Sequence, residues 1–343
     1  MSKLRVGLLF GGRSQEHEVS IMSARSVFSM LDKEKYEIIP FAITKDGVWL
    51  NSERSQRILE DDKISRVFND TDGSIKNSLA TFLETDLDTV FPVLHGPYGE
   101  DGKIQGLLEM LDIPYVGAGV TGSAVGMDKA IMKDIYAANN IPQGKYMVVY
   151  SFAIDSGKIK DEINSKISWP CFVKPANMGS SIGISMVHNP LELEEALNKA
   201  AKHDHKIVIE EYIKGREMEC SVLGNEEVIA SLPGEIKPGH EFYDYQAKYQ
   251  DESTELMIPA HLDDDIIDSL KKIAMKAFRA IDGRGLARVD FFIKDNNEIL
   301  VNEINTIPGF TRYSMYPKLW EASGIKYSDL IDKLINLSLE WHS

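Results

Sequence analysis

The sequence predicts an α/β (α+β) protein in which a Rossmann-like α/β layer domain precedes two further α+β domains. Three observations carry this. Short apolar strands alternate with helices over roughly the first 120 residues, with glycine-rich loops at strand ends. Beyond Gly144 the pattern turns to strands with two helices. At 343 residues and 43% hydrophobic content the chain exceeds a typical single core, so two or three domains are expected. The expected divisions are 1–120, 121–213 and 214–343.

Leu4 to Phe10 is a continuous apolar strand, followed by the tight loop Gly11-Gly12-Arg13-Ser14 and a helix starting near Val19 or Ser20. The glycine pair lacks the spacing of a dinucleotide fingerprint, so NAD is not expected. Tyr36 to Thr44 and Thr89 to Leu94 continue as strands, and His95 to Gly102 is a second glycine-rich loop on the same edge. Asn51 to Asp86 is polar and poorly periodic, with a helix expected only near Leu79 to Glu84. Ile104, Leu107, Leu108 and Leu111 repeat at helical spacing, and Pro114 to Val116 would be a short fourth strand. Gly119 to Gly126 reads as small and flexible, and Met127 to Asn140 as a helix ending before Pro142.

In the central block the expected strands are Tyr146 to Val149, Cys171 to Lys174, Gly183 to Val187 and Ile207 to Tyr212, with a helix from Glu192 to His203. Lys174 ends an apolar strand, Pro175 forbids its continuation, and Gly179-Ser180-Ser181-Ile182-Gly183 makes a hairpin tip rich in N–H and hydroxyl donors. A lysine inside a buried strand needs an anionic partner, and a phosphate is one candidate. Arg216 to Leu223, Val228 to Ile236 and Glu255 to Pro259 read as antiparallel strands. Between the last two, residues 240–250 form a long aromatic, charged and aperiodic stretch, the pattern of a functional lid. Leu262 to Ile281 is an amphipathic helix, and a helix over Pro317 to Ser323 precedes a final one capped by Ser328.

The stretch from Gly285 to Gly309 holds the densest chemistry. Two apolar strands, Leu286 to Ile293 and Glu298 to Ile304, flank a polar turn at Asp295-Asn296-Asn297. Arg288 and Asp290 lie two apart on the first strand, Glu303 and Asn305 two apart on the second, so pairing would gather four polar groups on one patch. Asp, Glu and Asn are all oxygen donors, which suits a hard cation such as Mg²⁺ sharing phosphate oxygens. A hairpin whose acids merely pair with Arg288 is equally consistent with these four residues. The following Asn305-Thr306-Ile307-Pro308-Gly309, a turn able to offer N–H groups to an anion, favours the cation reading.

A formal charge of −15 argues against a nucleic-acid or acidic-membrane surface, so a phosphate site must rest on a few focused lysines and arginines. Cys171 and Cys220 sit in apolar runs and fit neither a disulfide framework nor a cysteine zinc site. No signal peptide or transmembrane run is read, and a cytoplasmic protein is expected.

Taken in order, GGRSQEHEVS, LHGPYGEDG, MDK, FVKPANMGSSIG, EEYIKGREMEC, FYDYQAKY, GLARVDFF and VNEINTIPGFT resemble the ATP-grasp ligases, and within them the D-alanine D-alanine ligase family, from Val6 to about Leu337. The resemblance implies antiparallel sheets gripping ATP and the joining of two D-alanines for peptidoglycan precursors. It implies that Lys129, Lys174 and the lid's Lys248 meet the ATP phosphates, and that Glu210, Glu211, Ile213 and Glu217 contact adenine and ribose. Asp290, Glu303 and Asn305 would bind two Mg²⁺ ions, with Mn²⁺ able to substitute. Glu16, hydrogen-bonded in a triad with Ser180 and Tyr249, would hold the first D-alanine's ammonium beside His95. Arg288 and the Gly309 N–H would form the oxyanion site, and Ser314 and Met315 would contact the second D-alanine. A homodimer is implied too. Tyr249 favours dipeptide formation over D-alanyl-D-lactate, whereas Arg312 departs from the smaller residues frequent in relatives. The alternatives are a D-alanine D-lactate or D-alanine D-serine ligase and a non-catalytic nucleotide-binding protein, the last disfavoured because every metal ligand and the arginine are present.

Overall fold

The computed structural model describes residues 3–61, 74–237 and 255–342. The expected lid, with Lys248 and Tyr249, lies outside the described residues.

The N-terminal unit is a parallel sheet with β1 (Leu4–Gly11) between β2 (Tyr36–Ile43) and β3 (Thr89–Pro92). Both neighbours pair with β1 in parallel, as the strand, glycine turn and helix pattern predicts. Helix α1 (His17–Met30) starts two residues earlier than expected, with Glu16 at its N-cap position. The polar stretch after β2 holds α2 (Ser52–Glu60) and α3 (Ile75–Leu83). Helix α2 escapes a periodicity reading because only Ser55, Ile58 and Leu59 of its nine residues are buried. After α4 (Lys103–Met110), the expected fourth strand is only an isolated bridge between Tyr115 and Val90.

Gly119 to Gly126 is not a flexible link. It forms helix α5 (Val120–Met127), whose small residues permit close approach: a Cβ at Gly122 would lie 2.7 Å from the Asp282 carbonyl oxygen. Helix α6 (Lys129–Ala138) follows, with the Asp128 side chain accepting the Ala130 and Ile131 N–H groups as its cap.

A four-stranded antiparallel sheet comes next, in the order β4 (Tyr146–Tyr150), β7 (Lys206–Glu211), β5 (Cys171–Pro175), β6 (Ser185–Val187). It is backed by α7 (Ser156–Lys166) and α8 (Leu193–Ala201). The other face, with Phe172, Lys174 and Glu210, looks into the cleft.

The C-terminal sheet runs β11 (Glu255–Met257), β10 (Gly234–Lys237), β8 (Arg216–Gly224), β12 (Gly285–Ile293), β13 (Ile299–Asn305), with β9 (Ile229–Ala230) also on β8. The single strand expected over Val228 to Ile236 is therefore two, because Pro233 cannot donate to a ladder. Helix α9 (Asp264–Ala280) covers this sheet with Leu270, Ala274, Ala277 and Phe278. Met132 and Tyr136 of α6 join the same core.

Helix α10 (Met315–Ala322) leads to α11 (Tyr327–Trp341). Position Lys326 is the N-cap of α11, not Ser328, whose hydroxyl turns to Asp329. Leu330, Ile331, Leu334 and Ile335 of α11 share one core with Val6, Leu8 and Phe10 of β1. Tyr36 OH donates to Asp332 and the Thr89 and Ser338 hydroxyls meet at 2.7 Å, so the last helix is fastened to the first sheet. Among the described residues no helix is long and apolar enough to cross a membrane.

Candidate active site

One cleft of about 840 Å³ lies between the two antiparallel sheets and opens toward the loops of the N-terminal sheet. The β12–β13 hairpin supplies its floor. In β12 the residues alternate, Ala287, Val289, Phe291 and Ile293 buried in the core and Arg288, Asp290 and Phe292 on the other face. The ladder sets Arg288 opposite Asn305 and Asp290 opposite Glu303, and a bulge at Asn302 follows. The four polar groups predicted to converge do so.

Arg288 holds Asp290 bidentately, Nε to Oδ1 and a terminal nitrogen to Oδ2, both at 2.7 Å. Its Nε is also 2.9 Å from Glu219 Oε2, and Asn305 Nδ2 donates to Asp290 Oδ2 at 3.0 Å. Burial opposes the Arg288 charge, but Asp290 and Glu219 outweigh it and hold the guanidinium well above its ordinary value. Of the two hairpin acids, Asp290 thus has its ion pair with Arg288 and Glu303 has one with Lys129. Among the described residues no three His, Cys, Asp or Glu side chains form a metal cluster. The donor set here is two carboxylates and an amide, all oxygen, which fits a hard divalent cation that keeps waters and takes its other ligands from phosphate. Asp290 lies behind Arg288, outside the cleft wall that Glu303 and Asn305 line.

Three lysines converge from the other side. Lys129 Nζ donates to the Met178 carbonyl at 2.9 Å and sits 3.4 Å from Glu303 Oε2, joining α6, the loop after β5 and β13. Lys174 Nζ is 2.9 Å from Glu210 Oε2, and Lys133 Nζ is 3.6 Å from Glu210 Oε1. Burial would push the Glu210 carboxyl up, yet Lys133 and Lys174 bring it below its usual value. Burial opposes the Lys174 ammonium too, and Glu210 and Glu303 hold it above its ordinary value; for Lys133 burial prevails and lowers it. Glu211, Tyr212, Ile213 and Glu217 line the cleft beside them, with Glu211 Oε1 accepting the Lys145 N–H.

At the opposite end Ser180 Oγ donates to Glu16 Oε1 at 2.5 Å, two thirds of the predicted triad. Ser180 and Ser181 both adopt left-handed backbone, φ 50° and 59°, and Asp204 secures the start of this loop by accepting two bonds from Asn177. Glu16 is closely walled: a Cβ at Gly96 would lie 2.7 Å from its Oε2. His95 is buried, Nδ1 on the Ile307 carbonyl and Nε2 on Ser23 Oγ, and burial lowers its imidazole despite Glu16. Gly309, Ser314 and Met315 line the cleft, as does Arg312, and Ser314 Oγ also accepts the Thr311 N–H.

Sequence reasoning missed several groups. Glu100 accepts the Gly96 and Ile307 N–H groups at 2.9 Å each, and burial followed by repulsion from Glu16 pushes its carboxyl up to about 7. Glu219 and Lys133 were missed too. Both carried a signal, an acid in an apolar strand and a lysine one helical turn after Lys129.

Comparison with known proteins gives the family. A family model described as D-ala D-ala ligase N-terminus matches residues 5–118, and one described as D-ala D-ala ligase C-terminus matches residues 135–336. The D-alanine--D-alanine ligase of Halothermothrix orenii is 61% identical over 342 residues, covering 99% of each chain. That of Geobacillus thermodenitrificans is 47% identical over 99% of this chain and 96% of its own. Among solved structures, the D-alanine-D-alanine ligase from Coxiella burnetii superposes with a TM-score of 0.87 at 37% identity, covering 100% of this chain and 95% of that one. The VanG D-Ala:D-Ser ligase from Enterococcus faecalis gives 0.86 at 35% identity, covering 98% and 100%.

Proposed function

The chain belongs to the D-alanine D-alanine ligase family, of ATP-grasp fold, and from that premise we propose how its own residues carry the reaction. It is an ATP-dependent, ADP-forming ligase that joins two D-alanines into the D-alanyl-D-alanine of peptidoglycan precursors through a D-alanyl phosphate. Glu16, oriented by Ser180 and Tyr249, takes the ammonium of the first D-alanine. The carboxylate of that substrate attacks the γ-phosphorus of ATP, and the bond to the ADP oxygen breaks. Lys129, Lys174 and Lys248 cancel the repulsion between the two anions. The backbone of Glu211 to Ile213 receives the adenine, Glu210 orients Lys174 beneath it, and Glu217 accepts the ribose hydroxyls.

Asp290, Glu303 and Asn305 would hold Mg²⁺, two ions in the proposed site with Mn²⁺ as a substitute. When bound, the cation supplies neutralisation of phosphate charge. His95 lies beside the first D-alanine; the free amine of the second, placed by Ser314 and Met315, attacks the acyl carbon, and phosphate leaves. Arg288 and the Gly309 N–H donate to the oxyanion, each worth roughly 3 to 4 kcal/mol by comparison with other oxyanion holes. Closure of residues 240–250 keeps water from the acyl phosphate. A homodimer in the cytoplasm completes the proposal.

The observation that supports these roles is the run of one cleft from Lys174 and Glu210, past Arg288, to Glu16 and Ser180. Phosphate release from ATP and Mg²⁺ with D-alanine alone, with D-alanine plus D-lactate, and with D-serine tests it. D-alanine alone should saturate the rate and D-lactate add nothing. Release indifferent to D-amino acids would defeat the assignment, and D-serine preferred to D-alanine would move it toward the D-Ala:D-Ser relatives.

A further inference from the structure

We propose that Lys133 is a positioning residue for nucleotide binding: it offsets the charge of Glu210 so that Lys174 keeps its own for the phosphates. The inference rests on the proposed placement of Lys174 against those phosphates. Lys133 is itself 2% exposed and does not line the cleft, so it acts through Glu210 and not by touching the nucleotide.

The geometry is a three-membered chain. Glu210 gives one carboxylate oxygen to Lys174 at 2.9 Å and turns the other toward Lys133 at 3.6 Å. The first contact fixes where the Lys174 ammonium sits. It also has a cost for anion binding, since a lone lysine–glutamate pair is neutral as a unit and its field across the cleft is that of a dipole. With Lys133 behind it, the group of three carries one net positive charge at the cleft wall. Helix α6 makes this possible: Lys129 and Lys133 lie one turn apart on the same face, the first reaching Glu303 and the second Glu210. The Tyr146 ring, 5.6 Å from Lys133 Nζ and opposite Glu210 in the β4–β7 register, lies alongside the ammonium.

The test is calorimetric binding of Mg²⁺-ADP and of adenosine to the full chain. Lys133→Met should weaken ADP about tenfold and adenosine less than about twofold, because only ADP carries the charge that the chain of three attracts. Lys133→Arg should keep ADP within about threefold. A silent Lys133→Met, or equal weakening of ADP and adenosine, would overturn the proposal. Should Lys133→Met not fold, Lys133→Gln, which keeps a polar group beside Glu210 without the charge, decides: ADP weakened about tenfold with adenosine within about twofold supports the offset, and ADP affinity within about threefold of wild type overturns it. Lys174→Met separates the two levels. If it leaves ADP and adenosine binding unchanged, the phosphate-site reading itself fails; if it weakens ADP alone while Lys133→Met is silent, only the role of Lys133 fails.

Discussion

The two ends of the cleft hold the same kind of group in opposite states. At the end between the sheets, Glu210 lies between Lys133 and Lys174 and its carboxyl titrates below the usual range. At the end bounded by the N-terminal loops, Glu100 accepts only backbone N–H groups among the described residues, and burial followed by repulsion from Glu16 outweighs these and Arg288 and pushes it up to about 7. Burial acts in the same direction on both; the neighbours decide the outcome. One end is thereby set to receive anions, in the proposed reaction the phosphates of ATP, and the other to receive the ammonium of an amino acid. Arg288 stands at the join, between Glu219 and Asp290.

The comparison breaks most completely at that join. Arg288→Met should lower kcat about a thousandfold, the loss of an oxyanion donor compounded by two carboxylates left without their partner. Phosphate-release kinetics on folded protein checks this, and a fall under about tenfold would take Arg288 out of the reaction.

Glu100 sharpens the acidic end. Its folded pKa lies above the unfolded value, so the native state binds the extra proton between about pH 4.5 and 7. The contribution of Glu100 to stability is therefore fully present below about pH 4.5, falls as pH rises, and is lost above about 7. Relative to Glu100→Gln, the wild type should lose about 3 kcal/mol across that window. Urea unfolding of both proteins at several pH values measures it, and parallel profiles would mean that Glu100 titrates alike in the folded and unfolded chains.

Glu303 tests how the cationic end divides its work between lysines and metal. Glu303→Gln should raise the half-saturating Mg²⁺ concentration about tenfold while leaving adenosine binding alone. An unchanged Mg²⁺ titration would assign Glu303 to Lys129 only. The smallest effect is expected at Ser180. Its replacement by alanine removes one hydrogen bond to Glu16, so KM for the first D-alanine should rise about fivefold to tenfold with little change in KM for ATP. Equal changes in both would point to a general loosening of the loop after β5.

What was legible in the sequence follows from period. Strands alternate every two residues, so Arg288, Asp290, Glu303 and Asn305 stood out as polar positions on apolar strands, and Lys174 likewise. Glu219 stands out on β8 by the same period. Groups whose partners are backbone N–H donors leave no such trace, which hides Glu100: its donors come from Gly96 and from Ile307, two hundred residues away in the chain. Helix α5 was misread for a related reason. Its glycines lower helix propensity, and the compensation is tight packing against the Asp282 carbonyl, a contact invisible in one dimension. The lid residues Lys248 and Tyr249, prominent in the resemblance, fall outside the described residues.

The fastening of helix α11 to the first sheet bears on how the molecule is made. Val6, Leu8 and Phe10 emerge early in synthesis, but Leu330, Ile331, Leu334 and Ile335, which cover them, are translated some three hundred residues later. A nascent chain halted before Tyr327 therefore has Ile21, Ala24 and Val27 of α1 on this core but lacks the α11 side chains that complete it, leaving apolar surface of the kind that holdase chaperones bind and that aggregates form on. Closure of the first domain therefore waits on residues 327–341, however early its strands are made.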